Sequence, residues 1–323
     1  MIINEEINRY LNRLSEKRIK CGVIEKMMTY GFNSISINSI HDNVMVLLQK
    51  IKDFIAWSNQ FDATIKEAAL ENQLEYLINL AESDLIPMSA FDWLKDERAC
   101  YFVWLDIQIQ MFTTPNNIVG QNIYNTLQLP KICSSNKERF NVIINFFDLW
   151  WTSKNNKIAY LDNIKSRVHE SLGRDPFKGL NKKDIEQIEW YYKYIKSHLG
   201  KYYPFQNATE PAPLPTPNQL ALAINPLTTE ETYYLIYALY DTWSPYSLSD
   251  KAIFKNALSK AYSQRKFRKK QEGKKPLNTY LKKETKDKLE QLREHYRNAT
   301  LHDTLDLIIR EAYEQMQRDG QRK

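Results

Sequence analysis

From Arg265 to Lys275 the chain reads RKFRKKQEGKK, seven basic residues in eleven with a single acid. Ammonium and guanidinium groups at this density neutralise phosphates and displace the counterions held around a polyanion. A run of this kind also suits a solvated helix end, because cations are favoured at the C-terminal pole of the helix dipole. The residues that follow change pattern. Lys275 to Lys282 is KPLNTYLK, in which Leu277, Thr279 and Leu281 alternate with Asn278, Tyr280 and Lys282. Period-two alternation is the signature of a strand with one apolar and one polar face. Pro276 is tolerable at the first position of such a strand or at a sheet edge.

Other side chains that could do chemistry do not assemble in the sequence. His41, His169, His198, His295 and His302 show neither an HExxH pair nor ligand spacing with Cys21, Cys100 and Cys133. No metal site and no cofactor is therefore expected. Three scattered cysteines without a CxxC pair suit buried free thiols in a reducing cytoplasm. P-loop, GxGxxG and GxSxG patterns are missing. The acids of Asp92–Glu97 and Asp106 read as caps or solvated charges. The Trp150-Trp151, Tyr191-Tyr192 and Tyr233-Tyr234 pairs read as core packing before base stacking. No enzyme is expected from these residues.

The elements that must position the basic run are helices. Apolar residues make up 43% and aromatics 12% of the 323 residues, with only eight glycines, which excludes disorder and disfavours turn-rich β architectures. Val44 to Phe61 places Val44, Leu47, Leu48, Ile51 and Ile55 on one helical face, and Ala63 to Ala81 repeats the pattern with Ala69, Leu70, Leu74, Leu77 and Ile78. Ser89 is the expected N-cap of a helix from Ala90 to Met111. Asn141 to Trp151 is apolar almost all round, which places it at the centre of the core. Asn181 is the expected cap of Lys182 to Leu199. No run approaches the ~18 apolar residues of a membrane span, and the start, MIINEEINRYLNRL, carries no apolar signal core.

Prolines at 211, 213, 215 and 217 forbid helix and favour a stiff extended spacer. The expected organisation is a helical domain over 1–203, a linker over 204–217, a helical segment over 218–272 ending in the basic arm, a distinct module over 273–318 and a tail over 319–323. Helices are expected at Asn218–Ile224, at Thr229–Trp243 (with Thr228 and Glu231 as a capping box) and from about Ser249. Charge follows the same division. Ser249 to Lys323 holds 20 Lys/Arg against 11 Asp/Glu, so +9 resides there and the first 248 residues carry −3 of the total +6. Such asymmetry points to a polyanionic partner for the C-terminal quarter alone.

A single short strand among helices leaves its backbone polar groups unpaired. The simplest partner is the same strand from a second copy, antiparallel across a two-fold axis. Two helices follow it: Glu284 to Tyr296, with Leu289 and Leu292 one turn apart, and a second opened by the T-x-x-D box of Thr300 and Asp303, with Leu301, Leu305, Ile308, Ile309 and Ala312 at helical spacing. Strand, helix, turn and helix behind a basic arm is the order of a ribbon-helix-helix monomer. The expected fold is thus mainly α, with a large helical N-terminal domain and a C-terminal module whose one short strand pairs across a dimer.

The segment from Asp250 to Arg318 resembles a ribbon-helix-helix domain, and most closely that of the macrodomain Ter protein (MatP) family. TLHDTLDLIIREA, Thr300 to Ala312, resembles that family's second helix, which opens T-L-S-E-T and runs into an apolar pair, an acid and Ala. The basic stretch ahead of Lys274 and Lys275 resembles its Arg/Lys-rich helix end. His302 replaces a serine, Asn298 stands where the turn usually has Gly, one extra residue separates the helices, and Thr285 holds a normally apolar place.

The resemblance implies a homodimer whose paired strands enter the major groove of double-stranded DNA. Asn278, Tyr280 and Lys282 would then read bases. Asn pairs bidentately with adenine and Lys donates to guanine, each worth ~1–3 kcal/mol of discrimination. Arg265, Lys266, Arg268, Lys269, Lys270, Lys274, Lys275, Thr300 and His302 would contact phosphates. It further implies a cytoplasmic, nucleoid-associated organiser of a chromosome or mobile element, or a repressor, with a protein partner for the N-terminal domain and no membrane. Two other readings stand beside it. One is an enzyme or effector at the N-terminus that uses the C-terminal module for DNA targeting or autoregulation. The other is a scaffold whose ribbon only dimerises.

Overall fold

The computed structural model describes residues 5–32, 34–58, 70–110, 122–199, 224–243, 248–273, 280–297 and 300–320. Regular structure among them is helical throughout, in line with the mainly-α expectation, and no strand occurs among the described residues. The chain forms two compact units, Met1–Ala261 and Tyr262–Lys323.

In the first unit, α1 (Glu5–Ser15), α2 (Lys17–Thr29), α3 (Val44–Ser58) and α4 (Leu70–Asp84) form one packed group. The periodic faces read from the sequence are the ones that bury: Leu47, Leu48, Ile51 and Ile55 on α3, and Leu74, Leu77 and Ile78 on α4. The residues between them, 59–69, lie outside the described residues.

The segment after Pro87 departs from expectation. Ser89 does not cap a helix. The Ala90 amide donates instead to the Pro87 carbonyl at 3.0 Å, and Met88–Lys95 winds as a 3-10 helix. Asp96, in extended conformation, then interrupts the path, and its carboxylate accepts from the Ala99 amide at 2.8 Å to start α5 (Glu97–Ile109). An aspartate that satisfies an orphan N–H outcompetes a serine seven residues earlier whose first amide is already taken.

Every residue of α5 from Ala99 to Ile109 is buried. A helix apolar all round belongs inside other helices. Here α7 (Asn136–Leu149), α8 (Lys154–Leu172) and α10 (Thr229–Thr242) pack around it, α10 also meets α9 (Ile185–Leu199), and the short α6 (Ile123–Thr126) touches it. Burying Phe102, Val103, Leu105 and Ile107 contributes ~1.5–3 kcal/mol for each side chain. The Asn141 to Trp151 segment lies within and just beyond α7 and is buried from Val142 to Trp150 except for the half-buried Asn145. Both helices share the centre. Asn181 accepts from the Lys183 amide at 2.9 Å, but the cap of α9 is Asp184, whose carboxylate accepts from Gln187 at 2.9 Å.

Residues 204–217 lie outside the described residues, but the elements on either side of them belong to one unit. Thr228 caps α10 as expected, accepting from the Glu231 amide at 3.2 Å. Leu235, Ile236, Tyr237, Ala238 and Leu239 are then buried in the same core as α5. The first half of α11 (Leu248–Lys270) adds Phe254, whose ring meets Trp243 at 5.5 Å, and Leu258. The boundary therefore follows Ala261. The 218–272 segment is divided by it, because its apolar half is spent on the N-terminal core. Of the expected helix at Asn218–Ile224, residues 218–223 lie outside the described residues.

Several buried charges in this unit are paired. Asp106 is neither a cap nor solvated. It is fully buried, with Arg167 at 2.7 Å and the Tyr160 hydroxyl donating at 3.0 Å. Arg98 binds Asp241 at 2.7 Å and lies over the Tyr237 ring at 4.5 Å. Cys21, Cys100 and Cys133 are free and buried, and burial pushes each thiol up to about 12, which keeps them as inert core residues. Among the described residues no helix is long and apolar enough to cross a membrane.

Candidate nucleic-acid interface

The second unit contains the end of α11, then α12 (Lys283–His295) and α13 (Leu301–Gly320), which pack on each other. From Lys255 to Lys270 the sequence of α11 holds seven Lys/Arg and no acid. Along its final turns Lys266, Arg268, Lys269 and Lys270 are exposed and Arg265 is half-buried. The following helices are different. Arg293 pairs with Glu290 at 3.3 Å and Arg310 with Asp306 at 2.7 Å. Such surface pairs add at most ~1 kcal/mol each to stability, and by count α12 is balanced, with four Lys/Arg against four acids, while α13 is acidic, with two against five. The electropositive surface is the α11 tail.

Gly273 follows with φ +80, a left-handed conformation that L side chains resist, and turns the chain out of α11. Lys274, Lys275 and Asn278 lie outside the described residues. So does most of the expected strand. Its last residues, Tyr280, Leu281 and Lys282, are neither helix nor strand. Tyr280 is fully exposed and Lys282 is exposed at the N-cap of α12 in an extended conformation, φ −59 and ψ 148. Leu281, expected to face the helices, is 42% exposed. Among the described residues there is no strand for Leu281 to pair with, so no ladder there fixes the face it presents.

The turn between the helices places Arg297 at φ +52, two residues after α12 ends. Glycine is the residue that adopts this conformation without strain, and it is missing here. Tyr296 joins the helices, its hydroxyl donating to Glu311 Oε2 at 3.0 Å, and that carboxylate raises the phenol above its ordinary range. Thr300 forms the expected cap: its hydroxyl accepts from the Asp303 amide at 3.2 Å and donates to Asp303 Oδ2 at 2.7 Å. The Thr300 hydroxyl is thereby occupied. What the first turn offers a phosphate is the backbone N–H of residues such as His302, which no helical carbonyl reaches. The Asp303 carboxylate in the same turn opposes an anion there.

Packing in this unit is thin. Leu289 and Thr304 are its buried side chains among the described residues, while Leu301, Leu305 and Ile308 are half-buried. Leu292, Ile309, Tyr313 and Met316 are between 38% and 59% exposed. Helical spacing identified most of these residues as apolar positions, but only the fold shows that a single copy leaves them uncovered. The aromatic pairs of the first unit divide. Trp150 packs on Phe146 and Tyr160, and Tyr191 on Phe177, as expected for core, whereas Tyr234 is engaged near the surface with Glu97 and Lys182. Among the described residues no group of three or more His, Cys, Asp or Glu is placed to hold a metal ion. No protein-family model matches the chain, and no curated protein or solved structure matches it.

Proposed function

We propose that the chain is a sequence-specific double-stranded DNA-binding protein that acts as a dimer through a C-terminal ribbon-helix-helix module. The observation that carries this reading is the second unit itself: a two-helix body with Leu289 as its buried apolar residue, beside an acid-free cationic helix end. A body of this size cannot be stable on so small a core and needs a second copy to cover Leu292, Ile309, Tyr313 and Met316. Pairing of the 275–282 segments across the two-fold axis would satisfy the strand edges at the same step. Asn278, Tyr280 and Lys282 would then face base edges, and the α11 tail, with Lys274, Lys275 and the first turn of α13, would meet phosphates. The large first unit supplies assembly or partner contacts. A nucleoid-associated organiser or a repressor fits this arrangement.

The test joins solution mass with genome-wide crosslinking of the tagged full chain. A two-copy mass and a sharp palindromic motif support the reading. A single-copy mass, with no retention of duplex at low ionic strength, overturns it.

A further inference from the structure

The α11 tail carries one side chain that its cationic chemistry does not account for. Phe267 is 63% exposed, between Lys266 and Arg268. At ~100° per residue it lies roughly 180–220° around the helix from Phe254 and Leu258, the residues of α11 that bury. Its own stripe runs through Lys260, Ser263, Gln264, Lys270 and Gln271, all exposed. The neighbouring aromatic, Tyr262, is covered by the Lys266 ammonium at 5.0 Å from its ring centre, whereas Phe267 presents its ring outward.

Charge decides what this stripe fits. A second copy of it would bring like charges face to face, which disfavours self-association there. A lipid surface takes up helices with a continuous apolar face, and here a single ring stands among lysines and amides. Duplex DNA fits both parts: phosphates flank a groove into which cations reach, and an apolar side chain between them can part a base step.

We propose that Phe267 is an apolar wedge that enters the minor groove beside the ribbon's site and kinks the bound duplex by partial insertion between base pairs. Lys260, Lys266, Arg268 and Lys270 hold the phosphates on either side. This rests on the DNA-binding reading above and adds a deformation step to it.

The full chain, Phe267→Ala and Phe267→Leu are compared on end-labelled duplexes of about 30 base pairs enriched from a random pool on the wild-type protein. Bending is read by energy transfer between the ends and unstacking by 2-aminopurine fluorescence. The wild type bends its duplex by some 20–90°. Phe267→Ala loses the bend and about tenfold in affinity with an unchanged salt slope, and Phe267→Leu keeps most of both. Circular dichroism confirms that these exposed-site variants fold. Equal bending by wild type and Phe267→Ala overturns the wedge and leaves DNA binding standing. No duplex binding by the wild type overturns both. Binding of wild type but not Phe267→Ala to anionic phosphatidylserine vesicles, without a bend in DNA, overturns the wedge in favour of a lipid surface.

Discussion

Arg139 of α7 and Glu231 of α10 form an ion pair 3.2 Å apart across 92 residues of chain, with only 5% and 6% of their side chains exposed. The Arg139 guanidinium also lies over the Tyr101 ring of α5 at 4.5 Å, so one side chain ties three central helices together. Glu231 is the acid of the capping box expected from the sequence; the Thr228 half forms, while the Glu231 carboxylate accepts from the Leu227 amide at 2.8 Å. The local cap and the long-range pair share one residue.

Removing one partner strands the other charge in the core. Arg139→Met or Glu231→Leu alone should cost about 3–5 kcal/mol, and the double variant should recover most of that loss. Urea unfolding at neutral pH measures it. Single variants that each lose less than about 1 kcal/mol would show that water reaches the pair.

Chain truncation tests the unit boundary. A fragment of residues 1–203 lacks α10 and exposes the apolar sides of α5 and α9, so it should bind hydrophobic dyes and unfold without a sharp transition. A fragment of residues 1–261 keeps α10, Phe254 and Leu258 and should unfold cooperatively. Equal cooperativity in the two fragments would place the boundary at the proline-rich stretch instead.

Asp241 makes stability depend on pH. Burial raises its carboxyl from 3.8 to about 6 despite the Arg98 guanidinium beside it. The folded chain therefore binds this proton more tightly than the unfolded chain. Its contribution favours folding most below about pH 4 and is lost as pH rises through 6, a change of up to about 3 kcal/mol. Asp241→Asn removes the effect. The difference in unfolding free energy between wild type and variant should change across this window, and a constant difference would refute the assignment.

The left-handed turn residues give opposite signs. Arg297→Gly relieves the strain of φ +52 and should stabilise the second unit by roughly 0.5 kcal/mol, after the flexibility that glycine adds to the unfolded chain is subtracted. Gly273→Ala meets no atom within 4 Å, so its cost of about 1 kcal/mol is purely that of the φ +80 backbone. Hydrogen exchange of amides in α12 and the end of α11 reads both. Protection moving the same way in the two variants would contradict the turn geometry.

On the proposed DNA reading, two substitutions separate specificity from affinity. Asn278→Ala should relax preference at one base position by about 1–3 kcal/mol, whereas Lys270→Ala should weaken binding to all sequences and lower the salt slope by about one. Quantitative binding to the enriched site and to random duplex at several salt concentrations distinguishes them. Identical losses on both duplexes would remove Asn278 from the base-reading role.

Helices on α3, α4 and α10 were legible because their signals are local. An apolar residue every third or fourth place and a Thr228 to Glu231 cap act within a turn or two of chain, and the Thr300 to Asp303 cap behaves alike. The concentration of positive charge in the α11 tail is equally a property of order along the chain. Membership in a core is not local. Prolines at 211 to 217 announce a break in helix, but whether the helix beyond it joins the core depends on Tyr237 and Leu239 finding α5 and α9. Asp106 reads as an ordinary helix acid until Arg167, 61 residues away, turns out to face it. Asp96 displaced Ser89 as a cap because the Pro87 carbonyl had already taken the Ala90 amide. Chain order settled the helical class, the caps and the charge asymmetry, since each depends on near neighbours. Tertiary structure alone decided which charges are buried, where the first unit ends and that Ile309, Tyr313 and Met316 stay uncovered, because those depend on surfaces distant in sequence meeting in space.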